Sequence, residues 1–148
     1  MSTGTILLAA DGSPSAADAT HDAIALACEL DAKLVVVAVD HPISPGNGFY
    51  GSSELLARRR TAEHARTAEA LAQVRAAARE AGVECEPVHI GPGGRVAEEI
   101  CRAAEAREAR MIVIGTHSWS RAKRVAIGSV STAVMHSARR PVLVVPTR

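Results

Sequence analysis

Residues 111–145 read MIVIGTHSWSRAKRVAIGSVSTAVMHSARRPVLVV, and the order of textures in this stretch decides the fold. Met111–Ile114 is a short apolar run, and Pro141–Val145 (PVLVV) is another. Strands of a parallel sheet covered on both faces need continuous apolar runs of this kind. Between the two lies a helical pattern that begins near Gly128-Ser129 and ends before Arg140. Strand, crossover helix and strand make one βαβ unit, whose crossover is right-handed.

The same alternation extends back to the start of the chain. Thr5–Ala10 (TILLAA) and Lys33–Val39 (KLVVVAV) are further apolar strands, and the more polar Glu84–Ile90 reads as an edge strand. Ser13 is a good N-cap, and Pro14 sits at the first helical position, where a missing N–H costs nothing. That helix runs to about Glu29, with Ala16, Ala23, Ile24 and Ala27 on one side. An Ala/Arg/Glu stretch from about Glu54 to Ala81 ends at Gly82, a natural C′ residue. A third helix covers about Arg95–Ala106, with Val96, Ile100 and Ala103 inward. The order β-α-β-α-β-α-β-α-β predicts an α/β fold built on a single doubly wound sheet.

Composition excludes several function classes. The chain has 148 residues, 47% hydrophobic, with 17 basic and 16 acidic side chains. That is the size of one domain. A net charge of +1 gives no electrostatic footprint for nucleic acid or an anionic membrane. The only aromatic residues are Phe49, Tyr50 and Trp119, too few for a base-stacking platform. No apolar stretch approaches the roughly 20 residues that span a bilayer. MSTGTILLAADGS carries neither a basic n-region nor a cleavage site, so the expected location is the cytoplasm. Cys28, Cys85 and Cys101 are odd in number and far apart, which argues against disulfides or zinc fingers and reads as three buried thiols.

In a doubly wound sheet, ligands bind beyond the carboxyl ends of the strands, where the strand order reverses. Asp11-Gly12-Ser13 follows the first strand, and Gly115-Thr116-His117-Ser118 follows the fourth. Gly115 lets the backbone approach a ligand closely, and Gly128-Ser129 would offer N–H groups and a hydroxyl at a helix start, a phosphate site by geometry. A strand-ending turn with a serine cap fits the same letters without a ligand. The segment His41–Ser53 (HPISPGNGFYGSS) has no periodicity and fits either a lid or a plain connection. Arg121, Lys123, Arg124 and His117 read as loop surface, Arg58-Arg59-Arg60 as a solvated helix start, and Gly91–Gly94 as a turn without the lysine of a P-loop. No nucleophile elbow, H-E-x-x-H or kinase signature is present, so no enzymatic activity is expected.

Gly115-x-x-Ser118-x9-Gly128-Ser129, running into VSTAVMHSARRPVLVV, resembles the C-terminal signature of the universal stress protein family, usually G-x-x-G-x9-G-[ST]. ILLAADGSPSA at residues 6–16 is similar to that family's first strand and its aspartate. The resemblance implies a five-stranded parallel sheet of order 3-2-1-4-5 with helices on both faces, of the adenine nucleotide alpha hydrolase-like kind. It implies ATP between the first and fourth strands, in a protein that regulates a stress response and hydrolyses nucleotide slowly if at all. Asp11 matches the aspartate on the adenosine side, and Val39 the position whose backbone reads the adenine edge. Gly115 matches the glycine near the ribose and phosphates, and Gly128 and Ser129 the pair that holds the phosphates. Ser118 departs from the pattern: a serine disfavours positive φ and adds a side chain, though its hydroxyl can also meet a phosphate. The alternative is a dimeric interaction protein of the same fold that binds no nucleotide. In the 3-2-1-4-5 order Pro141–Val145 lies at the sheet edge, and an apolar edge strand invites a two-fold homodimer in which Val142 and Val144 meet their copies.

Overall fold

The computed structural model describes residues 3–43, 53–116 and 127–148. Five strands alternate with four helices: β1 (Thr5–Ala9), α1 (Pro14–Glu29), β2 (Lys33–Val39), α2 (Ser53–Glu80), β3 (Cys85–Ile90), α3 (Val96–Ala106), β4 (Met111–Gly115), α4 (Ser129–Ser137) and β5 (Val142–Val145). The strands form one sheet of order β3-β2-β1-β4-β5. Every pairing is parallel, with Leu7 opposite Val35 on one side of β1 and Ile112 on the other. The order that the family resemblance implies is therefore the observed one.

Successive strand residues point to opposite faces, which explains why the runs are unbroken rather than alternating. Ile6 and Leu8 of β1 join Leu34 and Val36 of β2 in one core. Ala19, Ala23 and Ala27 of α1 and Leu71, Val74 and Ala78 of α2 cover it. Leu7 packs with Val35, Val37 and Ile112 on the other face, beneath Ala97, Ile100, Ala103 and Ala104 of α3 and Val134 of α4. Ile6, Leu7 and Leu8 are wholly buried, each worth roughly 1.5–3 kcal/mol relative to exposure. The helix faces are mostly alanine, so helices and sheet approach closely and the branched strand residues fill the space between. With so few aromatic side chains, no other filling is open to this chain.

The punctuation acts as the sequence predicts. The Ser13 side chain accepts a hydrogen bond from the Ala16 N–H at 3.2 Å and caps α1. Gly82 takes a left-handed φ of 72°, and the Val83 N–H closes on the Ala78 carbonyl at 2.9 Å. Among the described residues, no helix is long and apolar enough to cross a membrane.

The cysteines differ from expectation. Cys28 is exposed and Cys85 and Cys101 are half-buried. Ala27 holds the inward position on α1, and the next residue lies about 100° further round the helix. Cys28 therefore faces outward, where its thiol donates to the Ala81 carbonyl at 3.7 Å. Partial burial pushes the Cys85 and Cys101 thiols above the ordinary cysteine pKa, which leaves them poor nucleophiles.

Candidate functional site

The strand order reverses at β1, which has β2 on one side and β4 on the other. The loops leaving β1 and β4 therefore part, and a crevice opens beyond their carboxyl ends. A cleft of about 510 Å³ of empty space lies there. Its base is formed by Ala9, Ala10, Val37, Val39, Ile114 and Gly115 at the strand ends. Ala16 of α1, Val96 and Ile100 of α3 and Val130 of α4 add apolar walls, and Asp11, Ser13, His41 and Ser131 bring the polar groups. A largely apolar hollow with a few convergent polar groups is the common form of a small-molecule site.

Asp11 follows β1 directly and is half-buried. Its Oδ1 accepts the Ser13 N–H at 2.9 Å, which folds the chain into the turn that starts α1. Val39, the last residue of β2, lines the cleft from the neighbouring strand.

Gly115 ends β4 and lies against the first turn of α1. A Cβ built on it would meet Ser15 Oγ at 2.4 Å, the Ser15 carbonyl oxygen at 2.7 Å and its carbonyl carbon at 2.8 Å. Glycine is thus required here by the approach of α1, independently of any ligand. The Gly115 carbonyl accepts the hydroxyl of buried Ser131 at 2.6 Å, which ties the first turn of α4 to the end of β4.

The structure brings Asp11, Val39 and Gly115 to one cleft. Gly128 and Ser129 sit at the start of α4 but do not line it, and Val130 and Ser131 do. Gly128 is the N-cap in extended conformation, and its N–H donates to the Thr116 carbonyl at 2.5 Å, closing the return from the loop after β4. Ser118, His117, Arg121, Lys123 and Arg124 lie outside the described residues, as do residues 44–52 of the segment expected as a lid or connection.

Sequence reasoning missed Val130 and Ser131 as lining residues, whereas Ser13 and His41 fall in the stretches after β1 and β2 to which it pointed. The signal for the first two was present: Val134 is an inward position, and residues three and four earlier share its face. His41 is the second residue beyond the carboxyl end of β2, where the switch-point rule directs attention.

The family model described as the universal stress protein family matches residues 3–146. A universal stress protein of Methanocaldococcus jannaschii is 35% identical over 142 residues, covering 95% of this chain and 80% of its own length. A crystal structure of a universal stress protein family member from Burkholderia pseudomallei is 33% identical and superposes with a TM-score of 0.74, over 97% of this chain and 96% of that one. The universal stress protein from Archaeoglobus fulgidus in complex with dAMP is 22% identical, with a TM-score of 0.65 over 98% of this chain and 99% of that one.

Proposed function

This chain belongs to the universal stress protein family, and from that premise we propose that it binds an adenine nucleotide, ATP, in the β1/β4 cleft as a cytoplasmic regulator of a stress response. The observation that carries this reading is the convergence of Asp11, Val39 and Gly115 on one apolar hollow at the switch point. The dAMP held by the Archaeoglobus fulgidus relative is consistent with it. In this reading the adenine lies among Val37, Val39 and Ile100, and the Asp11 carboxylate accepts hydrogen bonds from the adenosine. The phosphates reach toward Gly115, Ser118 and the start of α4, with Gly128 and Ser129 beside them. The first N–H groups of a helix have no partners within it, which favours an anion there. The role assigned is binding rather than turnover, by a single domain that dimerises through β5.

A second reading, an interaction protein of this fold that holds no nucleotide, has specific support. Ser15 accounts for the glycine at 115, and the Gly128 N–H is already engaged by Thr116. Melting curves with and without ATP or AMP separate the two. At a hundredfold excess over Kd a bound nucleotide adds about 2.7 kcal/mol of stability, and Asp11→Ala reduces that gain. No shift at millimolar nucleotide favours the interaction protein.

A further inference from the structure

Beside that cleft, next to its lining residues Val39 and His41, three further side chains meet. Asp40 follows β2 directly, and its backbone N–H donates to the Ile90 carbonyl at 2.8 Å, so the sheet fixes its position. Its side chain is only 5% exposed. Oδ1 lies 2.7 Å from His89 Nε2 on β3, and Oδ2 lies 3.0 Å from His64 Nδ1 on α2. The two imidazoles stack with centroids 4.1 Å apart and planes 18° from parallel. Burial works to raise the Asp40 pKa, but hydrogen bonds from His89, His64 and Thr67 outweigh it and hold the carboxyl below its ordinary value. The group is thus an anion in a place where water is scarce.

We propose that Asp40, His64 and His89 form a binding site for a divalent cation of borderline softness, zinc before others. Two imidazoles and one carboxylate are the donor set of open zinc and related transition-metal centres, whereas calcium and magnesium prefer oxygen alone. The three donor atoms lie within 4.8 Å of one another. A zinc ion about 2.0–2.2 Å from each would set them roughly 3.3 Å apart, so the closer nitrogen–oxygen pairs open by a few tenths of an ångström. Because an imidazole lone pair lies in the plane of its ring, binding also turns the exposed His64 ring out of its near-parallel stack on His89. Each ring then presents the lone pair of its facing nitrogen and keeps a proton on the other. The dication compensates the buried carboxylate of Asp40. His64 is 64% exposed, which gives an entry path and leaves a coordination position open to water. That open side faces a hollow bordered by Arg60, Thr61, Glu63 and Pro92. Glu63 is already engaged by Arg66 at 2.7 Å and by the His41 N–H at 3.1 Å, so three protein ligands complete the set. The site does not depend on the nucleotide reading, because none of its three ligands lines the cleft.

The test is calorimetric titration of the full chain, stripped with chelator, with zinc chloride, and the visible spectrum of the same protein with cobalt chloride. One metal per chain is expected, with cobalt bands of nitrogen and oxygen coordination. His64→Gln, a change at an exposed ring, is expected to weaken zinc binding at least about tenfold, as is His89→Gln; His21→Gln on exposed α1 leaves it unchanged. Circular dichroism of the two ligand variants shows that they are folded. No zinc binding, binding unchanged in both His64→Gln and His89→Gln, or a thiolate charge-transfer band from cobalt overturns the proposal.

Discussion

Gly115 and Ser15 are so close that a Cβ on Gly115 would come within 2.7 Å of the Ser15 carbonyl oxygen and 2.4 Å of its Oγ. The clash includes backbone atoms of α1, so rotating a serine side chain cannot relieve it. Gly115→Ala should therefore destabilise the fold by about 1–3 kcal/mol, the usual cost of forcing an extra carbon into a packed interior. Urea denaturation without nucleotide measures this. A loss seen only when nucleotide is present would place the constraint in the ligand instead.

Ser131 acts from the opposite side of the same residue. It is buried, and its hydroxyl donates to the Gly115 carbonyl at 2.6 Å. Ser131→Ala removes the donor and leaves a buried carbonyl short of a partner, a net loss of about 0.5–1.5 kcal/mol. Because the bond holds α4 to β4, hydrogen exchange in Ser129–Ser137 should accelerate more than exchange in α1. A uniform change across the molecule would show that Ser131 contributes to general packing only.

These two residues also show where sequence reading reached and where it stopped. The strands were legible because a sheet covered on both faces demands unbroken apolar runs, and Leu7 and Leu8 satisfy opposite cores at adjacent positions. The ends of α1 were legible because Ser13 and Pro14 carry local signals that hold whatever the tertiary context. Gly115 was legible as a special position but not as a neighbour of Ser15, since that contact depends on how closely an alanine-rich helix approaches the sheet. Asp40, His64 and His89 were not legible at all. They stand 24 and 49 residues from Asp40, with no spacing rule to connect them, and only the β2–β3 register and the course of α2 bring them together. Cys28 was misread because a helical residue beside a buried one is not on the same face.

At the β3 edge, Lys33 Nζ lies 2.8 Å from Glu86 Oε2, and Arg107 approaches the same carboxylate at 3.4 Å. The hydrogen bond from Lys33 holds the Glu86 pKa below its ordinary 4.5, and Glu86 in turn raises that of Lys33 above 10.5. The lowered carboxyl contributes stability above about pH 4.5 that is lost as pH falls through its folded value. The raised ammonium contributes below pH 10.5 and is lost as pH rises through its folded value. Both side chains are half-buried and still reached by water, which screens the pair, so Glu86→Gln should cost about 1 kcal/mol at neutral pH. Chemical denaturation across pH should show the variant and the parent converging in acid. A constant difference down to pH 2 would assign the effect to packing of the side chain rather than to its charge.

β5 sits at the other edge of the sheet, and among the described residues its only strand partner is β4. Its side chains are not equivalent. Val142 and Val144 are half-buried and pack into the core beneath α3 and α4, whereas Leu143 is 39% exposed on the opposite face. A charge at either valine would disturb that core as well as any edge pairing, and a lower dimer content would then have two explanations. Leu143→Lys separates them, since a lysine there can keep its ammonium in water when the chain is monomeric. If two copies pair along β5, each places its Leu143 beside the other strand, and two lysines brought together on one face repel. Sedimentation equilibrium should then show a dimer weakened at least about tenfold, the equivalent of 1.4 kcal/mol, while the melting temperature of the monomer stays unchanged. An undiminished dimer in this variant would exclude β5 as the contact and move the search to the exposed Met135 on α4 and Ile127 just before it.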